Sequence, residues 1–382
     1  MTVNFSDDQL RSQGVGKKND EEESSLIDKI NAYLLTLSKV PLKERLFFVQ
    51  HLGIMLKAGI SLSKALKTIS DQTENKYFKS ILSDISSRVE KGAGFSDSLR
   101  KYNKVFGEMF IGMVDAGELS GKLEDVLHEL FIQMKKEHAL ISKVKGALTY
   151  PAVIIMAMLG IGTFMLVFVV PKITAMFDDL DAELPLPTKI LISTSDAIAN
   201  NGILSVIILI ISIIVITKIL KTHKGKYYFQ LFLLKAPIFG PIIKKINLAR
   251  FARNISSLLK TDIMIIKSFQ ITANVLGNLH YRKALNEMAK EIKRGTNINE
   301  VAAQYPKLFP PMVIQMISIG EETGEIDNIL MELAEFYEEE VDQIMENLPA
   351  IIEPLLILGL GLGVGGVAVA IIMPMYSLTS AM

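Results

Sequence analysis

The pentapeptide Gly117-Glu118-Leu119-Ser120-Gly121 returns 203 positions later as Gly320-Glu321-Glu322-Thr323-Gly324, and the same offset lays most of the chain over itself. It pairs Phe48 with Phe251, Leu56-Lys57 with Leu259-Lys260, Asn75 with Asn278, Gly92 with Gly295, Phe106 with Phe309 and Leu127 with Leu330. Beyond these, Pro151 meets Pro354 and Pro171 meets Pro374, and no gap is needed anywhere. A register held over about 130 residues without insertion makes the chain a tandem duplication of one unit, roughly 45–177 and 248–380. Whatever one unit folds into, the protein contains twice.

Each unit ends in a long apolar run. Three runs, 151–170, 202–216 and 354–375, concentrate the 49% hydrophobic content of a chain that is also 21% charged. The first and third hold about 20 residues without a charge, enough to cross a hydrocarbon core about 30 Å thick. The middle run reaches Leu220 if Lys218 snorkels. Tyr150, Tyr227, Tyr228 and Tyr376 sit just outside, where amphipathic rings favour the interface. Three transmembrane helices are therefore predicted, at 151–171, 201–220 and 351–376. Residues 1–25 contain no apolar core segment, so no cleavable signal peptide is expected. Basic and acidic side chains balance at 41 each, which leaves no electrostatic case for nucleic acid, and the lack of cysteine excludes disulfides, thiolate metal sites and cysteine nucleophiles.

Outside the spans the pattern is helical. Residues 1–25 are polar and read as disordered. Leu26, Ile27, Ile30, Tyr33, Leu34 and Leu37 then fall at helical spacing, giving an amphipathic helix within 1–43 that packs on the first domain or docks a partner. Residues 44–150 and 248–350 each read as a helical bundle of about six helices joined by short turns. Between the spans, 172–200 carries five acids against two lysines, while 218–235 carries Lys218, Lys221, Lys224, Lys226 and Lys235 with no acid. Basic residues near span ends stay in the cytoplasm, so 172–200 is expected outside, and the amino terminus, the 221–247 linker and both bundles inside. The tail 377–382 is then periplasmic. The approach to the third span opposes this, with seven acids and no base in 332–346. Parity of the spans and the duplication carry more weight, because acids count little in the rule.

The repeated pentapeptide reads as a turn between helices. Gly117 and Gly320 fall where a helix ends and a left-handed residue is favoured. Ser120 and Thr323, with Gly121 and Gly324 beside them, fall where the next helix begins and a hydroxyl caps free amides. Capping leaves Glu118 and Glu321 unexplained, because an acid at a helix C-terminus opposes the dipole. They are candidates for contact with a partner or with the other bundle. Gly117 to Lys122 only mimics a phosphate-binding loop: three residues separate the glycines, Leu123 follows the lysine, and Glu325 replaces it in the second copy. Hydrolase signatures are absent, and His51, His128, His138, His223 and His280 form no recognisable metal pattern. Glu338, Glu339, Glu340 and Asp342 read as a solvated face, with a cation bridge as the alternative.

No ionisable residue lies between Ala152 and Val170, Ile203 and Thr217, or Leu355 and Met375, which removes most support for a transporter or channel. The third span instead carries Gly359, Gly361, Gly363, Gly365 and Gly366, whose four-residue spacings offer flat faces for helix packing between protomers. Pro151 and Pro354 mark where the chain enters the bilayer, and Pro171 and Pro374 are expected to stop or kink their helices where it leaves.

Taken together, the Gly-Glu-x-Ser/Thr-Gly turns, Tyr150-Pro151-Ala152, Val169-Val170-Pro171-Lys172, Leu184-Pro185-Leu186-Pro187-Thr188 and the Pro374-containing last span resemble the type II secretion system F-domain family over about 45–380. Thr261-Asp262 departs from the family's usual glycine, and Glu353 replaces an apolar or aromatic residue. The resemblance implies an all-α membrane protein of the bacterial inner membrane: two homologous cytoplasmic six-helix bundles plus three transmembrane helices. It also implies a non-enzymatic, oligomeric platform of a type IV pilus machine, or alternatively of a type II secretion system, without cofactor. The implied partners are a cytoplasmic hexameric ATPase, pilin or pseudopilin subunits and other inner-membrane assembly proteins.

Overall fold

The computed structural model describes residues 40–178 and 185–381. The amphipathic segment expected at 26–37 lies outside the described residues, as do Asp179, Asp181 and Glu183. Among the described residues every regular element is a helix. The first repeat contains α1 (Leu42–Lys57), α2 (Leu62–Gln72), α3 (Lys76–Glu90), α4 (Phe95–Arg100), the single turn α5 (Asn103–Phe106), α6 (Glu108–Ser120) and the start of α7 (Leu123–Phe164). There follow a π-helical turn (Met165–Val169), α8 (Val170–Asp178), α9 (Leu186–Asn200), α10 (Gly202–Lys221) and α11 (His223–Lys235). The second repeat supplies α12 (Phe239–Lys260), α13 (Ile265–Val275), α14 (Leu279–Lys293), α15 (Ile298–Ala303), α16 (Pro311–Thr323) and α17 (Ile326–Ala381). Setting aside the single turn α5, each repeat holds six helices, the number expected.

Local signals set these elements. Asn75 opens α3 by accepting the Phe78 N–H at 2.9 Å, and its counterpart Asn278 opens α14 by accepting from His280 at 2.9 Å. In α2, Ala65, Leu66 and Ile69 share the buried face. Edge and tilted ring contacts join Phe48 to Phe78, Phe106 and, through it, Phe110, which forms the centre of the first core. Truncating such a ring to alanine costs about 3–5 kcal/mol. In the second repeat Phe251, Phe309 and Tyr281 take these places, and Tyr281 donates to the Leu308 carbonyl at 2.9 Å. Burial pushes the Tyr281 phenol far above its ordinary range, so it remains a donor.

The described residues form two compact units that do not follow the repeat boundary: one takes those up to 135 together with 257–275, the other those of 136–256 together with those from 276 onward. Packing explains the division. Leu258, Ile263 and Ile271 of the second repeat are buried in the core that holds Phe48 and Phe78. In the second unit, Leu140 of α7 shares an apolar cluster with Ile242 of α12 and with Val341, Met345 and Leu348 of α17.

Among the described residues three helices are long and apolar enough to cross a membrane, ending at Thr174, Lys221 and Pro374. Of the expected stop or kink at Pro171 and Pro374, neither proline stops its helix, and a π-helical turn directly precedes Pro171. Helix α17 runs 56 residues through Pro349, Pro354 and Pro374, and α7 passes unbroken through Pro151. Nor is 172–200 a plain loop: α9 packs against the π-helical turn and against α17.

Candidate functional site

The repeated turn joins the end of a helix to the start of a long one, α6 to α7 in the first repeat and α16 to α17 in the second. Helix α6 does not end at Gly117 but continues to Ser120, and the left-handed residue is Gly121, with φ of 71°. Gly324 does the same after α16, with φ of 74°. Gly117 and Gly320 serve close packing instead. A Cβ on Gly117 would stand 2.8 Å from Val126 Cγ2, and one on Gly320 would stand 3.0 Å from Ile326 Cα. Ser120 and Thr323 do not cap the next helix chiefly either. Their hydroxyls donate back to Ala116 and Ile319 carbonyls, each at 2.8 Å.

The puzzle of Glu118 and Glu321 is resolved by a third element. Glu118 accepts the Phe95 N–H at 2.6 Å and the Ser96 N–H at 2.8 Å, closing the first turn of α4. Glu321 accepts the Ile298 and Asn299 N–H groups at 2.6 and 2.9 Å at the start of α15. A charge unfavourable to its own helix is thus favourable to another's exposed amides. Sequence reasoning missed this because the amides concerned lie 22 and 23 residues upstream. Around the first turn, Lys122 bonds Asp262 at 2.7 Å, which raises the lysine above its ordinary pKa. Asp262, at the Gly59 position of the second repeat, holds φ of 60°.

Of the four acids on α17 read as a solvated face, Glu339 is exposed, but Glu338, Glu340 and Asp342 are engaged by cations. Glu338 takes a two-pronged bond from the Arg253 guanidinium, both contacts at 2.8 Å, and Lys136 reaches it at 3.5 Å. Asp342 bonds Lys143, and Glu340 bonds Lys245. Among the described residues no cluster of three metal-ligating side chains occurs. The acidic approach to the third span is therefore matched by the basic approach to the first, with α7 and α17 running in the same direction. That accounts for the charge pattern that opposed the topology rule.

Within the spans, α9 repairs what two prolines break. Pro374 has no N–H for the carbonyl of Ala370, four residues back, and Thr188 Oγ1 donates to that carbonyl at 2.6 Å. Pro171 likewise has none for Leu166 across the π-helical turn, and Ser195 Oγ donates to Leu166 at 2.5 Å. Neither hydroxyl stood out in the sequence. A proline inside an apolar span that continues as helix is the signal that such a donor exists. Gly359, Gly363 and Gly366 line a groove of about 440 Å³ with Met158, Gly162 and Leu191. Gly361 and Gly365 have nothing within 4 Å of an added Cβ.

The profile of the family described as "Type II secretion system (T2SS), protein F" matches residues 48–171 and again 251–374, the two repeats in full register. The chain belongs to this family. Among relatives, the type IV pilus assembly protein PilC of Myxococcus xanthus is 32% identical, covering all of this chain and 96% of its own length. PilC of Thermus thermophilus is 34% identical over 88% of this chain and 83% of its own. The type II secretion system protein F of Aeromonas hydrophila is 29% identical over 97% and 96%. The match begins and ends in each repeat at the core phenylalanines Phe48 and Phe251 and at the span prolines Pro171 and Pro374, so this family's unit includes bundle and span together.

Proposed function

We propose that this F-family member is the inner-membrane platform of a type IV pilus assembly machine, coupling a cytoplasmic hexameric ATPase to the insertion or extraction of pilin. The observation that carries this reading is the end-to-end likeness to PilC, joined to helices α7 and α17 that pass unbroken from bundle to span. In this arrangement both bundles are cytoplasmic, the α8–α9 region and the carboxyl tail are periplasmic, and a push on a bundle moves the spans without an intervening hinge. Partner contact at the repeated turns falls on their exposed edges, Leu119 and Ser120 in the first and Glu322 and Thr323 in the second, since Glu118 and Glu321 are engaged inside the bundle. The chain does no chemistry in this reading.

Deleting the protein is expected to abolish surface pili, and the purified full chain in nanodiscs is expected to bind and stimulate the cognate ATPase. Intact piliation together with absent ATPase binding would overturn the proposal. The likeness to secretion protein F supports a second reading, a pseudopilus platform, which predicts loss of protein secretion with piliation retained.

A further inference from the structure

The last helix of the first repeat lies along the first helix of the second. Ser257 of α12 donates to Glu129 of α7 at 2.7 Å and lies 3.4 Å from the Gln133 side-chain oxygen. Further along, Arg250 pairs with Glu137 at 2.6 Å, and Leu140 packs in one cluster with Ile242. The receiving face is closed by this contact: every residue from 251 to 258 is buried, and Ser257 is 0% exposed.

The 203-residue offset carries this contact onto a second pair of surfaces, with α1 as receiver and α17 as the helix received. Both are open. Ile54, in the place of Ser257, is 56% exposed and borders a cavity of about 270 Å³ with Gly53, Lys57 and Phe131. Phe336, in the place of the 6% exposed Gln133, is 40% exposed. A polar pair inside the chain thus corresponds to an apolar pair left uncovered. The ionic partners correspond as well. The Lys136–Glu338 pair becomes Glu339 with Lys135, reversed in sign and still opposite. Lys135 and Glu339 are exposed, and neither forms an ion pair with another described residue.

We propose that a second copy of the chain seats Phe336 of its α17 beside Ile54 of α1, with its Glu339 facing Lys135, repeating between protomers the contact that joins the repeats within one. Apolar complementarity, charge complementarity and continuity with an existing interface all point to the same occupant. The contact is heterologous, so each protomer both gives and receives. Because α7 and α17 run in the same direction, successive copies repeat one head-to-tail contact, which forms a ring where the rotation between copies closes.

The test uses the full chain in native membranes, where no natural cysteine interferes. One pool carries Ile54→Cys and a differently tagged pool Phe336→Cys. Mild oxidation is expected to yield a dimer joining the two tags in the mixture and none from either pool alone, and the double variant is expected to give a ladder. Gln133→Cys with Ser257→Cys in one chain, which reproduces the same geometry, is the positive control. Absence of the mixed dimer while the control closes would overturn the proposal, as would dimers from a single pool, which indicate a symmetric contact. A disulfide from Ile54→Cys to Leu34→Cys of the same chain would give the groove to the amino-terminal segment and overturn it too. Independently, Lys135→Glu and Glu339→Lys are each expected to weaken self-association about threefold, with the double reversal restoring it. No rescue by the double reversal counts against the pairing.

Discussion

Two glutamates show how a residue's duty can lie outside its own helix. Glu118 and Glu321 sit in the last turns of α6 and α16, where the dipole disfavours them, yet each closes two amides of a short helix that has no side-chain cap of its own. Replacing either by glutamine keeps the shape and removes the charge. We expect each substitution to lower stability by about 1–2 kcal/mol, read as reduced thermal midpoint in detergent, with hydrogen exchange accelerating first at 95–100 or 298–303. Unchanged exchange at those amides would refute the capping role. Asp262 is the residue-scale departure from symmetry: a left-handed position that glycine fills in the first repeat is held here by a residue whose carboxylate bonds Lys122. Asparagine and aspartate tolerate that conformation better than other side chains.

At the scale of elements, the long helices keep their continuity because neighbours complete them. Thr188→Val would leave the Ala370 carbonyl without its donor in an apolar setting and is expected to destabilise by about 1–3 kcal/mol. Pro374→Ala restores the helix's own N–H, so in that background the same Thr188→Val change should cost much less. A thermal-stability double-mutant cycle that proved additive would contradict the arrangement. The seam between α12 and α17 is a second case. Arg253 is almost wholly buried against Glu338, with Glu335 only at 4.0 Å, so Glu338→Leu removes both short bonds to a buried cation and is expected to cost about 3–5 kcal/mol. Pairing it with Arg253→Met should recover most of that loss in the same melting measurement. The helices themselves were legible from periodicity, caps and breaks. Their partners were not, because Thr188 and Ala370 lie 182 residues apart and no local pattern links them.

For the whole molecule, duplication creates surfaces that are equivalent by descent and unequal by circumstance. The face of α12 is closed by α7, while the same face of α1 is open. The glycine-rich span divides by what its glycines line: Gly359, Gly363 and Gly366 border a groove within the chain, while Gly361 and Gly365 do not border it and, like Gly363 and Gly366, have nothing within 4 Å of an added Cβ. Leucine at both Gly361 and Gly365 therefore needs no internal rearrangement. It is expected to leave melting unchanged and to lower association severalfold in a membrane dimerisation assay; unaltered association would remove that face from assembly.

By itself the sequence determined the duplication, the helical class, the number and place of the apolar spans, and the family, because each is written in spacing and hydropathy that survive without a fold. Only the tertiary structure decided what Glu118 and Glu321 hold, that the acids of α17 answer the lysines of α7 and the arginine of α12, and that two hydroxyls of α9 complete proline-broken helices. Those are pairings between residues distant along the chain, and hydrogen-bond and ion-pair geometry exists only once packing has brought them within about 3 Å.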